Sequence, residues 1–112
     1  MTDKLVVLWA SGDKEVALKM VFMYTLNAKL KEWWDDVCLV AWGPSTRLLA
    51  GDTELQEYMD RIKRAGVEVL VCKSCTDMYG ITGDLEKLGL EVKYMGQPFT
   101  QYLKSDCKVI TI

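Results

Sequence analysis

Residues 67–76 read VEVLVCKSCT, an apolar strand-like run that ends in a Cys-x-x-Cys motif. This pattern predicts a buried strand followed by a helix whose first turn contains Cys72 and Cys75. Free N–H groups at a helix start, the positive end of the helix dipole and the charge of Lys73 favour a thiolate, the nucleophilic form of cysteine. We therefore expect Cys72 to be exposed, to be the most readily alkylated thiol, and to carry out sulfur chemistry with Cys75 beside it.

Outward from this motif, strand-like apolar runs alternate with helical patterns. Strands are predicted over residues 5–9, 37–42, 67–71, 91–94 and 108–112, and long helices over residues 14–30 and 53–65. The first three strands are apolar on both faces, and βαβ alternation produces parallel strands with right-handed crossovers. The predicted fold is α/β, a three-layer α/β/α domain with a mainly parallel five-stranded sheet of flavodoxin-like appearance. With no linker or repeat in the sequence, we expect one domain over residues 1–112, and the strand order stays open.

The loops that follow the strands suggest a cleft. Parallel strands place these loops at one edge of the sheet, where open α/β folds bind their ligands. Four residues in them are candidates for lining the cleft: Ser11, Gly43, Arg47 and Gln97. For Arg47, anion steering and a plain solvated charge are both open. No glycine-rich phosphate motif follows a predicted strand, so we expect no nucleotide cofactor.

Composition limits the partners and the compartment. The 112 residues include 14 basic and 16 acidic side chains, a net charge of −2 without a basic block, so neither nucleic acid nor a membrane surface is an expected partner. The N-terminal MTDKLVVLWA has too short an apolar run for a signal peptide, which predicts a cytoplasmic protein. In that compartment the four cysteines should be reduced thiols, and without histidine no metal site is predicted.

Each cysteine also has a plainer interpretation. Cys72 and Cys75 are alternatively two small buried residues, or a thioredoxin-like redox pair. The redox interpretation is weakened because Val71 replaces the aromatic residue that usually precedes the first cysteine, and no proline follows at a convincing place. Cys38 lies within a predicted strand and is interpreted as a core residue. Cys107 precedes the last strand, and a packed position is favoured over an exposed one.

The first predicted helix is apolar on two sides. At the ordinary helical period, one set of residues forms the arc that faces the sheet: Val16, Ala17, Met20, Tyr24 and Ala28. Leu18, Phe22 and Leu26 then point outward among charged residues. A helix that is apolar nearly all round is buried by something besides its own sheet, so this pattern predicts a contact between subunits.

Three segments together resemble the DsrE/DsrF-like family of small sulfur-relay proteins: GPSTRLL at 43–49, AGVEVLVCKSCTDMYGI at 65–81 and LGLEVKYMGQPFTQYLKSDCKVITI at 88–112. The resemblance spans nearly the whole chain and implies a parallel α/β/α domain that assembles into trimers or hexamers. Several members accept a persulfide on a cysteine just after the third strand, a position that Cys72 matches. Gly80 matches the glycine that closes the following helix. Cys75 departs from the pattern, because the relay proteins that share Cys72 have no equivalent of it.

The resemblance implies a cytoplasmic homo-oligomer in which Cys72 accepts persulfide sulfur from a donor and passes it to an acceptor thiol, with donor and acceptor proteins as partners. Cys75 would resolve the persulfide or modulate its neighbour. Whether such a chain is a sulfurtransferase or only a sulfur carrier stays open. Two alternatives remain: a non-catalytic oligomeric module that binds a small molecule or partner protein, and a CxxC thiol-disulfide redox protein.

Overall fold

The computed structural model describes residues 3–112. Residues 1 and 2, the start of the segment from which the absence of a signal peptide was predicted, lie outside the described residues. The elements follow in chain order: β1 Lys4–Trp9, α1 Lys14–Val16, a π-helical turn Ala17–Val21, α2 Phe22–Leu30, β2 Asp36–Ala41, α3 Pro44–Gly51, α4 Thr53–Arg64, β3 Glu68–Cys72, α5 Lys73–Tyr79, α6 Thr82–Lys87, β4 Glu91–Lys93, α7 Gly96–Lys104 and β5 Lys108–Thr111.

The five predicted strands form one sheet in which every pairing is parallel. The strand order, which the sequence left open, is β4-β3-β2-β1-β5. The chain thus steps in one direction from β1 to β4 and then crosses the sheet to reach β5. Right-handed crossovers that run in opposite directions place their helices on opposite faces, so the predicted α/β/α layers are confirmed.

The two faces of the sheet are covered unequally. On one face, α2, α4 and α6 bury the larger cluster, which we call the main core and which includes Val7, Trp9, Phe22, Leu39, Leu55, Met59, Ile62, Val71 and Leu85. On the other face lies a smaller cluster, which we call the second core: Val6, Leu8, Cys38, Val40, Leu70, Cys72, Cys75 and Met95. Side chains from α7 pack on the second core, yet α7 contributes no buried residue of its own. The second face therefore has the thinner cover.

The first helix does not bury every residue that its sequence predicted to face the sheet. Between α1 and α2, the N–H of Phe22 donates to the carbonyl of Ala17, five residues back, so the π-helical turn inserts one extra residue. As a result, the set of residues that faces the core is shifted by one residue toward the C-terminus. Phe22 and Leu26 are buried in the main core, whereas Met20, which was predicted to face the sheet, is 43% exposed.

Leu18 is partly buried against the main core, so the predicted outward stripe of Leu18, Phe22 and Leu26 was wrong. The apolar side chains that do reach the surface of this helical region are Met20, Met23, Leu30 and Trp33. No helix in residues 3–112 is long and apolar enough to cross a membrane.

The loop after β2 is shorter than predicted. Pro44, which has no N–H to leave unpaired, occupies the first turn of α3, so Arg47 belongs to a helix and not to a loop. At the end of α4, Gly66 has a φ of 102°, a conformation that a side chain would disfavour, and the chain turns there into β3.

Candidate functional site

The Cys-x-x-Cys motif lies where β3 passes directly into α5. Cys72 is the last residue of β3 and precedes α5, and Cys75 lies in the first turn of that helix. One helical turn brings the two sulfur atoms to 3.1 Å, with the Cys75 thiol donating to the Cys72 sulfur. Both cysteines are free thiols. The predicted pairing of Cys72 with Cys75 is therefore present as a contact between two reduced sulfurs.

The expected exposure of this pair was wrong. Cys72 is 2% exposed and Cys75 is 6% exposed. The strand runs one residue further than predicted, and since side chains alternate across a strand, Cys72 follows Leu70 into the second core while Val71 enters the main core.

Burial also reverses the expected ionisation of Cys72. Removal from water raises the pKa of Cys72 from 9.0 to about 11. The N–H groups of Cys75 and Ser74 at the helix start lower that pKa, as predicted, but burial outweighs them. Lys73 does not reverse the balance, because its ammonium pairs with Asp77 at 3.0 Å. Cys72 is therefore protonated at neutral pH.

Of the four predicted cleft residues, Gly43 touches the pair. Its main-chain N–H donates to the Cys75 sulfur at 3.2 Å. Within residues 3–112, Ser11, Arg47 and Gln97 make no hydrogen bond to either cysteine. The Ser11 hydroxyl accepts from the N–H of Asp13 instead. Arg47 lies over the ring of Tyr79 beside a cavity of about 290 Å³, and Gln97 is exposed on α7.

Two buried polar residues next to Gly43 were missed by the sequence reasoning. Ser45 and Thr46 are fully buried. The Thr46 hydroxyl donates to the carbonyl of Gly43 in the same turn, and the Ser45 hydroxyl donates to the carbonyl of Trp9 at the end of β1. A signal was present in the sequence, because a Gly-Pro-Ser-Thr turn directly after an apolar strand presents hydroxyls that can organise the backbone. Their role is to shape the turn from which Gly43 reaches the cysteines.

Two cation–aromatic pairs involve residues of α3 and α5, the helices that follow Gly43 and Cys72. The Lys73 ammonium lies 5.1 Å from the centre of the Tyr94 ring, and the Arg47 guanidinium lies at the same distance from the Tyr79 ring. Tyr94 is 62% exposed, and Met78 of α5 is 80% exposed. The charge of Lys73 is offset by Asp77, so Arg47 is the cation of these two pairs that has no carboxylate partner within residues 3–112.

The other two cysteines share the second core, but within residues 3–112 they make no hydrogen bond to Cys72 or Cys75. Cys38 is fully buried in the second core, as predicted, and burial together with Glu68 raises its pKa to about 12. Cys107 is half-buried against the same cluster, where its thiol donates to the carbonyl of Tyr102 at 3.2 Å. Within residues 3–112, no three His, Cys, Asp or Glu side chains converge as a metal site would require.

Comparison with known proteins identifies the family. The model of the DsrE/DsrF-like family matches residues 4–112. A conserved protein of unknown function from Bacteroides thetaiotaomicron has a solved structure that is 35% identical, with a TM-score of 0.94 over 98% of this chain and 95% of that one. No curated protein matches the chain.

Two more distant structures share the fold. The YchN protein from E. coli is 20% identical with a TM-score of 0.74, and a protein of unknown function from Methanobacterium thermoautotrophicum is 16% identical with a TM-score of 0.78. In both comparisons each chain is covered completely. At these identities the likeness concerns the fold alone. The family match over nearly the entire sequence confirms the resemblance seen in the three segments, and the chain belongs to the DsrE/DsrF-like family.

Proposed function

We propose that this chain is a sulfur-relay protein that accepts a persulfide sulfur on Cys72 and passes it to an acceptor thiol. The observation that carries the proposal is the 3.1 Å contact between two reduced sulfurs at the carboxyl end of β3. Membership of the DsrE/DsrF-like family supports it, because sulfur relay is consistent with that family. Ligands of open parallel sheets bind at this edge, so the cysteines occupy the expected place for chemistry.

The transfer needs no oxidant or reductant. The Cys72 thiolate attacks the outer sulfur of a donor persulfide, the donor S–S bond breaks, and the donor leaves as a thiolate. The outer sulfur is then held as Cys72–S–SH. An acceptor thiolate attacks this outer sulfur in turn, so the acceptor becomes the persulfide and Cys72 leaves as a thiolate.

Cys75 adds a second outcome to this chemistry. Its sulfur is near enough to attack the inner sulfur of a persulfide on Cys72, which would release hydrosulfide and join Cys72 to Cys75 in a disulfide. An external dithiol would then have to reduce that disulfide. The same 3.1 Å contact favours thiol-disulfide exchange as the second candidate function, with no sulfane sulfur involved.

Access to Cys72 requires the cover of the second core to move. Phe99 and Tyr102 of α7 pack against the cluster that contains Cys72, but α7 has no buried residue. Elements with few buried contacts open at the lowest free energy. We therefore assign α7 as the element that moves to admit the donor and acceptor.

The proposal includes a homo-oligomer in a reducing, cytoplasmic compartment. Support for self-association now comes from Met20, Met23, Leu30 and Trp33, which are 43–60% exposed, and not from Phe22. Met23→Glu should shift a trimer or hexamer toward the monomer in light scattering without changing the circular dichroism of the fold. A wild-type protein that is monomeric at micromolar concentration would remove this part of the proposal.

Mass spectrometry tests the relay. Reduced wild-type protein incubated with glutathione persulfide should gain the mass of one sulfur on Cys72, and a reductant should remove it. Cys72→Ser should abolish the adduct, and Cys107→Ser, the matched control at a half-buried cysteine, should leave it intact. Cys75→Ser should lengthen its lifetime if Cys75 resolves the persulfide.

The alternatives give different spectra. A protein that forms the Cys72–Cys75 disulfide under mild oxidants but never carries extra sulfur is a redox protein. A protein whose thiols stay free and gain nothing from several persulfide donors is a binding module. Either result would replace the relay proposal.

A further inference from the structure

We propose that Gly43 is a positioning residue for the thiol pair: its main-chain N–H, held by a backbone conformation specific to glycine, stabilises the negative charge that the two sulfurs share when they react. This inference rests on the proposed function only in assigning a reaction to those thiols. The contact that supports it is the hydrogen bond from the Gly43 N–H to the Cys75 sulfur at 3.2 Å.

The conformation of Gly43 explains why a glycine is required there. Its φ of 71° and ψ of −137° lie near a region of backbone space that residues with a Cβ almost never occupy. A Cβ built on Gly43 would meet no atom within 4 Å. Glycine is therefore required by the direction of the backbone, which aims the N–H at sulfur, and not by lack of space.

Neighbouring hydroxyls hold this conformation in place. The carbonyl of Gly43 accepts two hydrogen bonds from Thr46, one from its hydroxyl at 2.7 Å and one from its N–H at 3.0 Å. The Ser45 hydroxyl accepts from the N–H of Trp42 at 3.1 Å and donates to the carbonyl of Trp9. Unusual backbone conformations persist when the surroundings over-determine them, as these buried contacts do here.

The result is a chain of donors that ends at the proposed nucleophile. The Gly43 N–H donates to Cys75, and the Cys75 thiol donates to the Cys72 sulfur. Both sulfurs are buried, so a thiolate at this site cannot rely on water. A fixed donor in a site without water stabilises charge without reorganising, and it polarises the next donor in the chain. Gly43 thus offsets part of the cost that burial imposes on the thiolate.

Nuclear magnetic resonance on the reduced wild-type protein tests this without any persulfide donor. The amide signal of Gly43 should move as the pair loses its first proton, with the same midpoint as the β-carbon signals of isotope-labelled Cys72 and Cys75. The amide of Gly80, whose N–H bonds to the carbonyl of Asp77, should not follow that midpoint. If the Gly43 amide signal does not change as the thiols ionise, the inference is wrong.

Substitutions provide a second test of the role of Gly43. Gly43→Ala should raise the midpoint of that first ionisation by about one pH unit, since a hydrogen bond to a charged group is lost or misaligned. Gly80→Ala is the control for a side chain added at a positive φ. Gly80 also has a φ of 71° and open space for a Cβ, with a ψ of 29°, and its N–H donates to the carbonyl of Asp77 and not to sulfur. Thr46→Val, which removes one hydroxyl bond to the Gly43 carbonyl, should shift the midpoint in the same direction by less.

The outcomes separate this inference from the relay proposal. If Gly43→Ala and Gly80→Ala shift the midpoint equally, the effect comes from general backbone strain and Gly43 has no positioning role. If Gly43→Ala does not fold, the titration of the wild-type protein and the midpoint of Thr46→Val still test whether Gly43 positions the thiol pair. A Gly43-dependent midpoint in a protein that accepts no sulfur would support the positioning role while removing the relay function.

Discussion

The rings of Trp9 and Phe22 meet edge to face, with their centroids 4.9 Å apart, in the main core between β1 and the first helix. Phe22 also contacts Tyr58 of α4 in the same geometry at 5.2 Å. The three rings join the sheet to two helices, and aromatic pairs of this kind contribute beyond the area they bury. Phe22 is thus a central residue of the fold, although its place in the sequence suggested a subunit contact.

A stability comparison follows from that packing. Phe22→Ala should lower the free energy of unfolding by about 3–5 kcal/mol, because it removes a fully buried ring and leaves a cavity. Met23→Ala, one position further along and 45% exposed, should change it by about 0.5 kcal/mol or less under monomeric conditions. Urea unfolding followed by circular dichroism measures both, and similar losses in the two variants would contradict the shifted register of this helix.

The order in which the thiols are alkylated should follow burial. At neutral pH, Cys107, which is half-buried, should react with iodoacetamide before Cys72 or Cys75, and Cys38 should react last. Phe99→Ala, which thins the cover of the second core, should speed the labelling of Cys72 and leave that of Cys107 nearly unchanged. Peptide mapping over time gives the order, and early labelling of Cys72 in the wild-type protein would mean that the site is open at rest.

Alkaline pH should destabilise the fold through Cys72. Its folded pKa of about 11 is above its ordinary value of 9.0, so the folded state keeps a proton that the unfolded state loses. The contribution is therefore complete below pH 9.0 and is lost as the pH rises toward 11. Cys38, whose pKa burial raises to about 12, acts in the same direction. Cys72→Ser should have a flatter dependence of unfolding free energy on pH above 9.0 than the wild-type protein, in denaturant titrations under reducing conditions.

The start of α4 offers a further stability test. The Asp52 carboxylate caps this helix by accepting from the N–H of Leu55 at 3.0 Å, and it pairs with Lys14. The Leu55 N–H and the Lys14 ammonium both hold the pKa of Asp52 below its usual value. Asp52→Ala should cost about 1 kcal/mol of unfolding free energy. Asp60→Ala, which removes only an exposed pair with Arg64, should cost about 0.5 kcal/mol or less, and equal losses would contradict the capping role.

Much of the architecture followed from the chain itself. Residues 5–9, 37–42 and 67–71 are apolar on both faces, and only a sheet covered on both sides can bury such strands, so the parallel α/β/α fold was predictable. The Cys-x-x-Cys spacing placed Cys72 and Cys75 one helical turn apart at the end of the third strand, and the three quoted segments indicated the family. These features depend on local periodicity and spacing, which are properties of sequence.

Other features of the fold and of the site were decided only by the tertiary structure, because these features depend on contacts between residues that are distant in the sequence. The order β4-β3-β2-β1-β5 arises from which strands meet, and it leaves α7 on the second face. The π-helical turn moved Phe22 from a predicted interface into the core, since one inserted residue rotates the buried arc. Burial of Cys72 outweighed the helix start that was expected to ionise it. The contact between Gly43 and Cys75, 32 residues apart, exists because the ends of β2 and β3 lie side by side in the folded sheet.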